Sequence, residues 1–209
     1  MWNRSENQIT ILFIRHGITM SNKELRYLGK TDEALSQEGK DALLRQKNEN
    51  NYPEIELLFT SPMKRCIETA KLLYPDLQPM IVPEWEEIDF GAFEGKNYQD
   101  LKDDVRYQEW IDSNGTLPFP EGESRENFVK RCECGFQKVL ESCKNLSEKQ
   151  NQGKQKKIGA IVHGGIIMAL LSMYYGGEYF DYQVPNGEGY ECVLKEWKTE
   201  IRFLSANRF

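Results

Sequence analysis

Three apolar runs, each followed by a polar residue and a segment that favours helix, constrain the fold of this chain most. The runs cover residues 9–15 (ITILFIR), 55–60 (IELLFT) and 157–162 (KIGAIV). Apolar runs without polar alternation are typical of strands that helices cover on both faces of a parallel sheet. Alternating strands and helices then predict an α/β fold, a three-layer αβα sandwich. Residues 190–197 and 201–206 predict one antiparallel edge on this mostly parallel sheet.

Helical periodicity accounts for most of the sequence between these strands. The predicted helices cover, in chain order, residues 36–47, 63–73, a short stretch near 98–111 and a long stretch from about 124. Ser61 is expected to cap the second helix, with Pro62 at its first helical position. A third parallel strand is expected at 80–82, and the lysine-rich stretch 144–157 is expected to form a surface loop.

Composition and charge exclude several classes of function. The 209 residues suit one α/β domain, and 27 basic against 33 acidic residues give a net charge of −6. An acidic surface disfavours nucleic acid and anionic lipid as partners. Residues 1–8 lack the apolar core of a secretory signal, and no stretch approaches the ~20 apolar residues of a membrane span, so we expect a cytoplasmic protein. Five cysteines without a C-x-x-C pair indicate buried, reduced thiols rather than disulfides or zinc.

The two histidines of the chain, His16 and His163, both follow a predicted strand. A single histidine there would be read as a packed core residue. Because the carboxyl ends of parallel strands meet at one edge of a sheet, we expect the two imidazoles to share a site. A neutral imidazole is a competent nucleophile toward phosphorus, and the guanidinium of the adjacent Arg15 matches phosphate oxygens.

Two further segments supply charged groups to such a site. Arg65 falls in the first turn of the predicted helix at 63–73, where a helix N-terminus and a guanidinium can bind one anion. The acidic and aromatic stretch 84–95 (EWEEIDFGAFEG) can supply a general acid if burial raises the pKa of one carboxyl group. Composition alone leaves open which carboxyl group that is.

Taken together, these motifs resemble the histidine phosphatase superfamily, the phosphoglycerate mutase-like family. The motifs that carry the resemblance are R-H-G at 15–17, S-P-x-x-R at 61–65, E-x-x-x-G-x-x-E-G at 87–95 and H-G-G at 163–165, in the family's order. The resemblance spans roughly residues 9–207. It implies a phosphoglycerate mutase-like fold, with one domain over residues 1–209 and a small lid-like insertion around 84–121.

The resemblance also implies the roles of individual residues. His16 would accept the phosphoryl group, and Glu87 would protonate the leaving oxygen. The phosphate would be bound by Arg15, Asn22, Arg65, His163 and Gly164, with no metal and no other cofactor. Ile18 stands where many members carry glutamate or glutamine, which we expect to change the rim of the pocket and not its chemistry.

The implied function is a phosphomonoesterase that hydrolyses a small phosphorylated metabolite through a phosphohistidine. Residues 118–124 (PFPEGES) resemble the branch of α-ribazole phosphatases and broad-specificity phosphatases, which makes α-ribazole 5′-phosphate or a broad set of esters the expected substrate. Four aromatic residues of the insertion could cap an apolar or heterocyclic leaving group, although packing within a small lid is the expected role for most of them: Tyr98, Tyr107, Trp110 and Phe119.

Two alternatives remain, a cofactor-dependent phosphoglycerate mutase and a noncatalytic module that binds a phosphorylated ligand. Glycolytic mutases carry an inserted basic segment, whereas residues 95–120 of this chain contain as basic residues only Lys96, Lys102 and Arg106. The sequence leaves open whether the protein is a monomer or a homodimer.

Overall fold

A six-stranded sheet organises the computed structural model, which describes residues 8–49, 51–150, 156–196 and 201–209. The strands are Gln8–Arg15 (β1), Leu57–Thr60 (β2), Met80–Ile81 (β3), Lys156–Val162 (β4), Gly189–Glu196 (β5) and Ile201–Arg208 (β6). Their order across the sheet is β3-β2-β4-β1-β5-β6. The first four strands pair in parallel, β5 is antiparallel to β1, and β6 is antiparallel to β5. The predicted α/β fold with a mostly parallel sheet and one antiparallel edge is confirmed.

Helices cover both faces of this sheet. They are Met20–Lys23 (α1), Gln37–Asn48 (α2), Lys64–Leu73 (α3), Tyr98–Leu101 (α4), Val105–Asp112 (α5), Arg125–Gln150 (α6) and Gly164–Tyr174 (α7). Short 3₁₀ turns occur at Pro83–Trp85, Gly91–Phe93 and Tyr179–Tyr182. Within the described residues, no helix combines the length and apolar character that crossing a bilayer requires.

The side chains of β1 explain why its apolar run shows no alternation. Ile11 and Phe13 join the apolar cluster beneath α6 and α7. Leu12 and Ile14 join the cluster beneath α2 and α3 on the opposite face. Both faces of the strand are therefore core, so every position along it favours an apolar residue.

Several predicted boundaries are wrong. Helix α3 begins at Lys64 and not at Pro62, its N-cap position is Met63, and no side chain caps it. The predicted helix at 98–111 is two helices, because Asp104 interrupts it and caps α5 through the backbone N–H of Arg106.

The predicted loop at 144–157 is helical up to Gln150, where α6 ends, and β4 begins at Lys156. Residues 151–155 lie outside the described residues, as do residues 1–7, where the sequence predicts no secretory signal. All five cysteines are free, but Cys134 is exposed, contrary to the expected burial of the set.

Candidate active site

The two histidines follow adjacent strands whose ends are level. The register pairs Arg15 with Val162, so His16 and His163 leave the sheet at the same height. The backbone N–H of His16 donates to the carbonyl oxygen of Val162 at 2.9 Å, which continues the strand pairing one residue further. The ring centroids of the histidines are 5.2 Å apart, and both side chains are buried.

His16 has one ring nitrogen held and the other unprotonated. Its Nδ1 lies 2.8 Å from the carbonyl oxygen of Gly17. Because a carbonyl oxygen only accepts, Nδ1 carries the hydrogen and Nε2 keeps its lone pair. Burial lowers the pKa of His16 well below its usual value, and the charges of Arg65 and Arg15 lower it further. His16 is therefore a neutral imidazole with a nucleophilic Nε2.

His163 has both ring nitrogens engaged by the protein. Arg65 donates from Nε to His163 Nδ1 at 3.3 Å, which leaves the ring hydrogen on Nε2. That Nε2 lies 2.8 Å from Ser61 Oγ and donates to it. Burial, followed by the charge of Arg65, lowers the pKa of His163 well below its usual value. A phosphate oxygen between the two rings would have to share the Nε2 hydrogen with Ser61.

Two guanidinium groups, buried Arg65 and half-buried Arg15, lie beside the histidines. Arg65 donates from Nη1 to the carbonyl oxygen of Thr31 at 2.9 Å and from Nη2 to that of Gly29 at 2.8 Å. Arg15 donates from Nη1 to the carbonyl oxygen of Val184 at 2.7 Å, while its buried Nε has no hydrogen-bond partner. Among the described residues, neither guanidinium forms an ion pair with a carboxylate. Two cations without a carboxylate partner favour an anionic ligand.

Glu87 places a buried carboxyl group at the same site. Its Oε1 accepts from the backbone N–H of Ile88 at 2.9 Å, and the residue is 8% exposed. Burial raises the pKa of Glu87, an effect that the N–H of Ile88 and the charges of Arg65 and Arg15 reduce. A Cβ at Gly165 would lie 2.6 Å from Glu87 Oε1, so only glycine at this position admits the carboxyl group without a shift.

Arg131, which the sequence does not single out, holds the loop that carries Glu87. Its Nη1 donates to the carbonyl oxygens of Glu84 and Glu86, at 2.8 and 2.7 Å. Its Nη2 donates to the carbonyl oxygen of Glu87 at 3.0 Å. Nε and Nη2 also bind the carboxylate of Glu123, at 2.9 and 2.8 Å. One half-buried ion pair therefore fixes the backbone of the candidate acid.

Asn186, also missed from the sequence, connects Asn22 to the histidine loop. Its Nδ2 donates to the carbonyl oxygen of His16 at 3.0 Å and to Asn22 Oδ1 at 3.1 Å. Asn22 Oδ1 also accepts from the backbone N–H of Thr19 at 3.2 Å. Gly164, which begins α7, lies next to Arg15: a Cβ on it would be 3.5 Å from Arg15 Nε.

A cavity of about 660 Å³ opens in front of these groups. The inner end of the cavity is the part formed by Arg15 and Glu87, taken together with the buried groups of the site, His16, His163 and Arg65. Its outer end is the part formed by Trp110 and Arg125. Of the predicted site residues, Arg15, Glu87 and Gly164 line the cavity. The others are not part of its lining: His16, Arg65 and His163 are buried, and Asn22 is half-buried. Its aromatic wall consists of Tyr27, Phe90, Trp110, Phe119, Tyr179 and Phe180.

The four aromatic residues considered for a cap lie in different places. Trp110 and Phe119 line the cavity. Tyr107 is buried behind them, with its ring centroid 5.3 Å from that of Phe93, and Tyr98 is exposed. No cluster of three or more His, Cys, Asp or Glu side chains within the described ranges is arranged to bind a metal ion.

Comparison with known proteins identifies the family. The sequence matches the histidine phosphatase superfamily (branch 1) over residues 11–206. The chain belongs to this superfamily. This histidine phosphatase is 29% identical to an uncharacterized phosphatase of Bacillus subtilis (strain 168), over 80% of this chain and 78% of the relative. It is 27% identical to the adenosylcobalamin/alpha-ribazole phosphatase of Escherichia coli (strain K12), over 78% and 77% of the two chains.

A solved structure supports the same assignment. The crystal structure of a phosphoglycerate mutase from Thermus thermophilus is 30% identical, with a TM-score of 0.65, over 95% of this chain and 98% of that one. The predicted resemblance, the phosphoglycerate mutase-like fold and the prediction of an enzyme are confirmed. Relatives with both phosphatase and mutase names occur, so the family alone does not select between these reactions.

Proposed function

We propose that this histidine phosphatase is a phosphomonoesterase that transfers the phosphoryl group of a small metabolite to His16 and then to water. The environment of His16 carries the proposal. Gly17 leaves Nε2 with its lone pair, and Arg15 and Arg65 lie close by without a carboxylate partner. Phosphoryl transfer depends mainly on positioning and charge stabilisation, which such groups can supply.

In the first step, Nε2 of His16 attacks phosphorus in line with the ester oxygen. The N–P bond forms as the bond from phosphorus to the ester oxygen breaks, and that oxygen takes the proton of the Glu87 carboxyl group. The raised pKa of Glu87 favours the protonated form that this step needs. Donors on Arg15 and Arg65 would hold the phosphoryl oxygens, and we expect chelation of metals to leave the rate unchanged.

In the second step, the ionised Glu87 takes a proton from water while the water oxygen attacks phosphorus. The N–P bond breaks, inorganic phosphate leaves, and His16 returns to its neutral form with Glu87 protonated again. Two steps with lower barriers replace one direct hydrolysis. Within the site, His163 keeps Arg65 oriented through the bond to Arg65 Nε and can share its Nε2 hydrogen with the phosphate.

The cavity wall supports a leaving group with an aromatic or apolar body. We propose that residues 84–121 act as a lid-like insertion of one domain over residues 1–209. This lid segment contributes Phe90, Trp110 and Phe119 to the wall. One candidate of this class is α-ribazole 5′-phosphate, since the Escherichia coli relative is named an adenosylcobalamin/alpha-ribazole phosphatase.

The direct test is to trap the phosphohistidine. Rapid mixing with ³²P-labelled phenyl phosphate and quenching in base should give a labelled protein whose label is lost in acid. Because the chain has two histidines, His16→Ala and His163→Gln assign the label. We expect no label in His16→Ala and a reduced label in His163→Gln. A full label in folded His16→Ala would refute the proposed nucleophile.

Phosphoglycerate mutase is the second candidate, favoured by the similarity to the Thermus thermophilus structure. In a mutase, the phosphohistidine must be shielded from water and the phosphoglycerate held by further cations. In the lid segment, Arg106 is paired with Asp104 and Glu121. A coupled assay of 3- to 2-phosphoglycerate conversion, run beside phosphate release from phenyl phosphate, separates the two functions. Conversion that is faster than phosphate release would establish the mutase.

A further inference from the structure

Three arginines line the cavity, and their partners differ. Arg15 is at the inner end, and the proposed function uses it. Arg208 is paired with the carboxylate of Glu188 at 2.7 Å. Arg125 forms no ion pair with any carboxylate in the part of the chain that the structure describes. A half-buried guanidinium in an apolar wall therefore keeps its positive charge without a neutralising anion from the protein.

The protein nevertheless holds Arg125 in one orientation. Its Nη2 donates to the carbonyl oxygens of Asn114, at 2.7 Å, and Gly115. The guanidinium carbon lies 5.2 Å from the ring centroids of both Tyr179 and Phe180. These contacts use one of the three nitrogens for hydrogen bonds and fix the plane of the group. A cation that is fixed in place and still carries free donors is suited to binding an anion from the cavity.

A second donor without a partner lies beside Arg125. The Nε1 atom of Trp110 is buried and has no hydrogen-bond partner. The two side chains are neighbours across Gly115, where a Cβ would lie 2.9 Å from Trp110 Cζ2 and 3.3 Å from Arg125 Nη2. A buried N–H without a partner costs free energy. Trp110 lines the cavity, so a small movement of its indole toward the cavity would let a ligand accept from Nε1 and recover that cost.

Tyr179 connects this outer end to the reacting groups. Its hydroxyl donates to the carbonyl oxygen of Gly165 at 3.3 Å, and Gly165 is the glycine against which Glu87 packs. The face of its ring supports Arg125. One aromatic side chain therefore spans the distance from the candidate acid to the fixed cation. A substrate of similar length can place a phosphate at one end and a second anion at the other.

We propose that Arg125 and the indole N–H of Trp110 form a second anion site, which selects phosphomonoesters whose aromatic or apolar body carries a second negatively charged group. This inference rests on the proposed function and narrows its substrate class. It adds a requirement that α-ribazole 5′-phosphate, which carries no second anion, does not meet. Arg125 contacts the far end of the substrate and so determines specificity without entering the chemistry.

The test compares esters that differ in one charge. Phosphates of 3- and 4-(carboxymethyl)phenol are paired with those of the corresponding carbamoylmethyl phenols, because the methylene group insulates the leaving oxygen from the change. We expect kcat/KM for the acid of at least one isomer to exceed that for its amide by about 10-fold or more, as for a hydrogen bond between charged groups. Arg125→Gln should bring this ratio to about one, Arg125→Lys should keep part of it, and Trp110→Phe should lower it about 3-fold.

Arg106→Gln is the matched control, because Arg106 is an exposed arginine of the lid segment that lies outside the cavity wall. It should keep the full ratio. The second anion site would be overturned by a ratio near one in the unsubstituted enzyme or by a full ratio in Arg125→Gln. It would also be overturned if Arg125→Gln lowered kcat/KM equally for acid and amide, a result that would assign Arg125 a structural role. Phosphate release from phenyl phosphate reports the proposed function separately, so failure of one proposal is distinguishable from failure of the other.

Discussion

The inner and outer ends of the cavity are built from different kinds of structure. At the inner end, His16 and His163 directly follow β1 and β4, and Glu87 follows the 3₁₀ turn Pro83–Trp85. Directional hydrogen bonds to carbonyl oxygens hold Arg15 and Arg65. At the outer end, packing between aromatic rings dominates, as in the 4.8 Å separation of Trp110 and Phe119. Hydrogen bonds fix atoms to within tenths of an ångström, whereas apolar packing tolerates exchange of residues. The inner end therefore suits chemistry that needs fixed geometry, and the outer end suits recognition that tolerates changes of side chain.

Removing the proposed nucleophile should break the inner end completely. We expect His16→Ala to lower kcat for phenyl phosphate by at least about 10⁴-fold, the scale seen when a nucleophile is lost. Phosphate release measures the rate, and circular dichroism checks the fold. A folded His16→Ala enzyme with normal turnover would show that the inner end is not where the reaction takes place.

Glu87→Gln should cost about 10²- to 10⁴-fold in kcat, the range of general acid–base catalysis. The loss should depend on the leaving group. It should be largest for alkyl phosphates, whose leaving oxygen needs a proton, and smallest for 4-nitrophenyl phosphate, whose leaving oxygen does not. Equal losses across this series would mean that Glu87 supports the site without transferring a proton.

The pH dependence should sharpen the assignment of both inner groups. His16 must be neutral, and its lowered pKa places the rising limb of kcat/KM below pH 6.5. Glu87 must be protonated, and its raised pKa places the falling limb of kcat/KM above pH 4.5. The rate therefore declines as the pH rises through the pKa of Glu87. At one pH unit beyond the falling limb the loss is about 10-fold. In Glu87→Gln the falling limb should disappear while the rising limb stays.

The difference between the two ends also explains what the sequence could predict. The ends of the strands can be predicted from the sequence because their apolar runs are continuous. The topology of parallel strands then brings His16 and His163 to one edge of the sheet. Short motifs around Arg65 and Glu87 mark the remaining groups of the inner end. The predictions at the inner end concern residues at the ends of strands and the starts of helices, and the local sequence pattern predicts such positions well.

The residues that the sequence missed act through long-range contacts. Arg131 holds the backbone of Glu87 from 44 residues away, and Asn186 reaches His16 from 170 residues away. Ser61 was expected as a helix cap. Its hydroxyl accepts from the backbone N–H of Met63 at 3.3 Å without capping α3, and it also bonds to His163. Nothing in the local pattern distinguishes these side chains from surface arginines, asparagines or caps. The lid segment was ambiguous for a related reason: its aromatic residues pack mostly against one another, so their spacing follows no helix or strand period.

Asn186→Ala tests whether such a distant residue positions the histidine. Removing Nδ2 frees the loop at the carbonyl oxygen of His16 and breaks the link to Asn22. We expect kcat to fall about 10-fold, equivalent to one hydrogen bond of average strength, with KM changed less than kcat. Asn51→Ala, at an exposed asparagine, is the control and should leave both parameters unchanged. A change in KM alone would indicate that Asn186 binds the substrate and does not position His16.

Phe119→Leu should produce the smallest effect, confined to the outer end. Phe119 packs edge-on against Phe90 at 4.9 Å and stacks with Trp110, so the smaller side chain removes aromatic contacts from the cavity wall. Such contacts are worth about 0.5–1.5 kcal/mol, and we expect KM for phenyl phosphate to rise about 2- to 10-fold with kcat retained. The inhibition constant of inorganic phosphate should not change, because phosphate contacts the inner end alone. Assays below the melting temperature of the variant, measured by calorimetry, separate this effect from lost stability. If the inhibition constant rose in proportion to KM, the two ends would be mechanically coupled, and specificity could not evolve at the lid without altering the phosphate site.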